Sequence, residues 1–189
     1  MKKNLVLISL FVIILLPFNR VFAKSLNSIE FLSGWLSGDL REKEDYRVVP
    51  LMVSFGFDLK PLAEKIGIET EGILEFQLEP FLNVVTSPDN NVEAGLGLLF
   101  KYAFPLSKKF MPYVKFGAGP VYISQHTREQ STQFNFVDTA GVGFNWFYKE
   151  NLAFSFEYRY RHLSNASIKH PNKGIDATSF LVGMSFFFD

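Results

Sequence analysis

His162 and Ser164 stand two residues apart, and Asp176 follows twelve positions after the serine. A serine hydroxyl is a weak nucleophile until an imidazole takes its proton. The imidazole in turn needs a carboxylate to hold its tautomer and to stabilise its charged form. Asn165, next to the serine, adds an amide that could donate to a developing oxyanion. These residue types describe acyl transfer from an ester. Read plainly, the same residues are a polar strand end running into a loop. The chemical reading therefore requires elements that bring all three side chains to one face.

The chain supplies such elements. Apolar residues alternate with polar ones at a period of two, interrupted by turn-like clusters at 87–91, 105–109 and 149–151. Eight strands are expected, near residues 29–38, 45–57, 72–85, 92–104, 111–124, 133–148, 152–164 and 178–188. In the seventh, Leu152, Phe154, Phe156, Tyr158 and Tyr160 share one face and Ala153, Ser155, Glu157, Arg159 and Arg161 the other. His162 and Ser164 continue the aromatic face. Asp176 has the parity of Phe180, Val182 and Met184 in the eighth strand. Strands seven and eight are expected to be antiparallel neighbours, so base, nucleophile and acid can meet near the end of one hairpin.

The large apolar face must be assigned to an interior or to lipid. The opposite face carries Glu75, Glu79, Lys101, Lys115, Glu157, Arg159 and Arg161 among glycines. Mutually paired charges and small residues suit the narrow interior of an eight-stranded barrel whose outside is wet by lipid. The even strand count, the strand lengths and the aromatics near strand ends agree. The expected fold is all-β, an eight-stranded antiparallel transmembrane barrel of the outer membrane; a soluble lipocalin-like barrel is the alternative. Two stretches fit less simply. Asp138 shares parity with Phe136, Val142, Phe144 and Trp146, which suggests a bulge. Residues 60–71 read as a turn or a short helix.

Composition narrows the function. Of 189 residues 16% are aromatic and 48% hydrophobic, which excludes a disordered chain. Basic and acidic residues balance at 19 each, so no cationic excess points to nucleic acid. Cysteine is absent, which removes disulfides, thiol nucleophiles and Cys-based metal sites. Residues 1–23 read as a cleaved export signal: Lys2 and Lys3, an apolar run over 5–18, then Val21 and Ala23 at the positions a signal peptidase reads. The expected mature domain is 24–189. Losing Lys2, Lys3 and Arg20 with the leader turns the charge balance negative by three.

Other motifs carry no chemistry. Gly95/Gly97, Gly117/Gly119 and Gly141/Gly143 lack the full spacing, helix and βαβ context of a nucleotide fingerprint, and read as small residues facing a crowded interior. His126 reads as a loop residue. No His, Asp or Glu spacing specifies a metal, and neither metal nor organic cofactor is expected. Depth favours the catalytic reading of the hairpin. With the chain starting on the periplasmic side, His162 lies ten residues beyond Leu152, about 25 Å up a tilted strand, near the top of the apolar band. A soluble substrate has no reason to prefer that place; an ester-linked lipid has.

The run His162-Leu163-Ser164-Asn165-Ala166-Ser167, followed by Lys169, Pro171-Asn172, Gly174-Ile175 and the acid at 176, resembles the signature of the lipid A 3-O-deacylases, the PagL-type outer-membrane enzymes. The resemblance covers about 30 residues at the C-terminus. It implies an eight-stranded barrel that removes the 3-O-linked hydroxyacyl chain of lipid A with a serine, a histidine and an acid on its outer face, without metal. It makes His162 the general base, Ser164 the nucleophile, Asp176 the orienting acid and Asn165 an oxyanion-hole candidate. The family usually has Glu where this chain has Asp176, one methylene shorter, so the acid is expected to need a closer backbone. Lys169 and Lys173, with His170, are candidates for the phosphates of lipid A, against the plain alternative of a solvated loop. The implied partner is lipid A of the outer leaflet; a homodimer is compatible with this. The rival functions are a non-enzymatic structural or adhesion barrel and a phospholipase-like esterase with the same triad.

Overall fold

The alternation closes on itself. In the computed structural model, which describes residues 26–40, 44–127 and 129–188, eight antiparallel strands pair in chain order and the last returns to the first. They are β1 (Leu26–Leu40), β2 (Glu44–Asp58), β3 (Ile73–Ser87), β4 (Asn91–Ala103), β5 (Phe110–Ile123), β6 (Phe134–Lys149), β7 (Leu152–Ser164) and β8 (Ile175–Phe187). Closure leaves no sheet edge, as lipid demands of any spanning sheet. No described helix is long and apolar enough to cross a membrane, so crossing falls to the strands. The expected leader lies outside the described residues.

Both ambiguous stretches resolve. Lys60–Lys65 forms a short helix, α1, with Pro61 in its first turn, where a missing N–H costs nothing. The bulge expected at Asp138 is absent. Strand β6 pairs in continuous register with β7 from Phe136 opposite Ser164 through Asp138 opposite His162, and its irregularity lies instead between Phe147 and Lys149. Asp138 points outward and is exposed. It needs no register shift because it sits level with the polar end of the hairpin rather than in the aromatic band.

Inside, the charges satisfy one another. Glu30 receives both Lys101 and Lys115, the latter at 3.0 Å. Lys115 also reaches Glu157 at 3.2 Å. Arg159 bridges Glu157 and Glu79, and Arg161 bonds Glu93 at 2.8 Å and the Tyr46 hydroxyl at 2.7 Å. The ring of Tyr113 lies under Lys101, and its hydroxyl donates to Glu157. The inward glycines make room for this traffic: a Cβ on Gly143 would stand 2.5 Å from the Tyr113 ring. Toward the end where β7 stops, the interior turns apolar. Leu36, Leu40, Val48, Val85, Ile123, Leu163 and Ile175 pack into a plug. The barrel is a filled platform, and the plug supports the wall that carries the hairpin.

Glu30→Gln should leave two ammonium groups facing one another without their shared carboxylate. Breaking a buried pair costs about 3–5 kcal/mol, so the urea midpoint in detergent should fall clearly, while Glu64→Gln on the exposed side of α1 should move it little. Equal midpoints would refute the stabilising role of the interior network.

Candidate active site

Alternation along β7 sends Leu163 into the plug and turns His162 and Ser164 outward. On β8, Ile175 and Ala177 point in and Asp176 points out. His162 and Asp176 are direct cross-strand partners. The His162 Nδ1–H donates to Asp176 Oδ1 at 2.7 Å. The shorter acid therefore reaches its partner through the ordinary spacing of paired strands, and the expected closer backbone is not required. The same Oδ1 also accepts the Tyr160 hydroxyl at 2.6 Å. Two donors from one face of β7 thus converge on one carboxylate oxygen. With Nδ1 occupied, Nε2 is left as the accepting nitrogen. The imidazole side chain is 36% exposed, enough to be reached from outside.

Ser164 is half-buried, two residues beyond His162 on the same face. Among the described residues no hydrogen bond joins its hydroxyl to the imidazole. Such contacts are often loose before substrate closes the site.

Gly174 sets the position of the ring. It has a φ of 72°, a conformation that suits glycine. A Cβ there would stand 2.4 Å from His162 Cε1, so the loop lies directly against the imidazole. A neighbouring segment braces this loop. Lys173 N–H donates to Glu129 O at 2.9 Å, Ser131 N–H to Pro171 O at 3.1 Å, and Gln130 bridges Asn172.

The remaining sequence candidates fall in different places. Asn165 continues the alternation inward and is fully buried. Its Nδ2 donates to Lys169 O at 2.8 Å and to Ser131 Oγ at 3.3 Å, and its main-chain N–H donates to Asn172 Oδ1 at 2.9 Å. The amide is occupied in shaping the loop and is not brought beside His162 and Asp176. Ala166 and Ser167 follow with φ of 51° and 62°; among the described residues their main-chain N–H groups have no partner. Lys173 borders a polar cleft beside Asp176, whereas Lys169 lies exposed on the loop away from it. His126 is an exposed loop residue. Tyr160 was not among the sequence candidates. Its shared parity with His162 was visible, but the contact to Asp176 follows only from the cross-strand register.

Comparison with known proteins bears on the family and the fold. A family model described as lipid A 3-O-deacylase (PagL) matches residues 51–185. Among solved structures, the outer-membrane enzyme PagL superposes with a TM-score of 0.64 at 20% identity, covering 84% of this chain and 98% of that one. Neisserial surface protein A superposes with a TM-score of 0.59 at 12% identity, covering 85% and 95%. At such identities these two likenesses concern the fold. No curated protein matches the sequence significantly.

Gly174→Ala should press a methyl group into the imidazole and strain the loop. The variant should fold as the wild type does, judged by the heat-dependent gel mobility of a barrel, yet lose most esterase turnover. Full turnover would show that the ring's position does not depend on this contact.

Proposed function

The chain belongs to the lipid A 3-O-deacylase (PagL) family, and we propose that it cleaves the 3-O-acyl ester with His162, Ser164 and Asp176 on the lipid-facing wall. It is an ester hydrolase of the bacterial outer membrane. The observation that carries the residue assignment is the His162–Asp176 hydrogen bond on the outward face that Ser164 shares.

In the proposed reaction, His162 Nε2 takes the proton of the Ser164 hydroxyl as Oγ bonds the acyl carbonyl carbon. Asp176 holds the ring through Nδ1 and stabilises the imidazolium that forms. The carbonyl oxygen becomes an oxyanion, which we assign to the unpartnered N–H groups of Ala166 and Ser167 beside the nucleophile. The carbon–oxygen bond to the sugar then breaks, and the imidazolium returns its proton to that oxygen. Water, deprotonated by the same imidazole, attacks the acyl-serine; the bond from Oγ to the carbonyl carbon breaks, Oγ takes the proton back from the imidazolium, and the fatty acid leaves. Asn165 acts here as a positioning residue that holds the turn. Lys173 is placed to meet a phosphate, while Lys169 contributes through its carbonyl. All assigned residues come from one chain, so a homodimer would leave this chemistry unchanged.

Two outcomes are expected. Lipid A from cells making the wild type should lose one 3-hydroxyacyl chain by mass spectrometry, and cells making Ser164→Ala or His162→Ala should retain it. Retention with the wild type, or loss with Ser164→Ala, would overturn the assignment; release of glycerophospholipid acyl chains instead would favour a phospholipase. Tyr160→Phe should lower kcat about tenfold with KM little changed, because the hydroxyl that is removed is turned to Asp176. A rise in KM alone would place Tyr160 among the binding residues.

A further inference from the structure

The two flanks of the hairpin differ in chemistry. Toward β6 and β5 the outer wall is apolar apart from Asp138, which stands opposite His162: Phe136 is opposite Ser164, Ala140 opposite Tyr160, and Pro120 opposite Phe136. Toward β8, β1 and β2 it is polar. In register with Tyr160 lie Thr178, then Ser37, then Arg47, all outward. One step higher, Asp176 pairs with His162, and Asp39 pairs with Asp45. One step lower the wall becomes aromatic again, with Tyr158 opposite Phe180 and Phe180 opposite Trp35. A patch that is polar across four strands is out of place on a wall otherwise wet by acyl chains, and it lies level with the catalytic acid.

This patch lines a cleft of about 680 Å³ that Tyr160, Asp176 and Lys173 close on one side and Arg47 on the other. Arg47 Nη2 donates to Asp45 Oδ2 at 2.8 Å, which holds the guanidinium over the cleft while more than half of the side chain stays accessible. A planar fork of donors with its remaining N–H groups open is suited to a phosphate. The hydroxyls of Ser37 and Thr178, with the carboxylate of Asp39, are the partners that sugar hydroxyls require. Ser37, Asp39, Asp45 and Arg47 all precede residue 51, so this half of the cleft lies outside the span that the family model matches.

We propose that the cleft between β8, β1 and β2 is the headgroup subsite, holding a phosphorylated glucosamine with Arg47 as its phosphate ligand. The proposal rests on the deacylase reading and adds an orientation to it. The sugar phosphate lies over β8 to β2, the scissile ester over β7, and the departing acyl chain over the apolar flank of β6 and β5. Lys173 closes on the phosphate from the loop above. Asp45 is a positioning residue, since it acts through Arg47.

The test separates binding from turnover. In full-length Ser164→Ala barrel in detergent, affinity is measured for phosphorylated lipid A and for the same lipid with its phosphates removed. The parent should prefer the phosphorylated lipid, and Arg47→Gln should weaken its binding about tenfold and erase the preference. Lys108→Gln, on the opposite rim, should keep the preference. A preference that survives Arg47→Gln, or equal weakening toward both lipids, would overturn the subsite. Failure of the deacylase reading looks different: the wild type would then leave both lipids intact, whatever the affinities of the Ser164→Ala background show.

Discussion

Every consequence here follows from one constraint: in a closed barrel under lipid, neighbouring residues of a strand face different solvents. Leu163 cannot share an environment with His162 and Ser164. It goes into the apolar plug while they go to the wall. The same rule on β8 buries Ile175 and Ala177 and exposes Asp176. The side chains proposed as catalytic are therefore mounted on positions whose immediate neighbours anchor the core. The filled interior matters for the same reason. Lipid offers no water to satisfy Glu30, Lys115 or Arg159, so they must be satisfied by one another, and the resulting network stiffens the platform.

Placing the proposed base and acid on adjacent strands also relaxes the demand on the acid. A histidine and a carboxylate directly opposite in an antiparallel pair begin only a few ångströms apart. Aspartate then suffices where a longer side chain is usual. Sharing Asp176 Oδ1 between His162 and Tyr160 compensates for what a shorter, stiffer acid loses in adaptability, because the second donor fixes the carboxylate's rotation. The arrangement lies at the edge of an apolar medium, where each such hydrogen bond is stronger than it would be in water.

The fold was legible because a period of two is a strong signal when both faces are consistent, and the aromatic face of β7 is consistent from Phe154 to Tyr160. Asp138 broke that pattern and suggested a bulge, yet its register is regular. Hydropathy alone does not mark the height at which the outer wall becomes polar. The pairing of His162 with Asp176 was legible from parity and antiparallel order. Asn165 illustrates the opposite case. The alternation that turned Ser164 outward already turned its neighbour inward, but chemical type drew it toward the oxyanion. Gly174 and Tyr160 were hidden for a different reason. Their contacts run between strands or from loop to ring, and they depend on register and backbone angles that no spacing along one segment reveals.

The height of the hairpin suits the two successive steps of the proposed reaction. Forming the acyl-serine requires the ester of a lipid that arrives sideways within its leaflet, so the nucleophile must stand at the depth of that ester. Releasing the acyl group requires water, which the acyl region lacks. Below the hairpin the wall is aromatic, with Tyr158, Phe180 and Trp35 in register. Above and beside it are the braced loop, the open turn at Ala166 and Ser167, and a polar cleft. Only the boundary between these zones offers ester and water to the same imidazole. One turn of strand lower, the acyl-enzyme would form and persist; one turn higher, the ester would be out of reach.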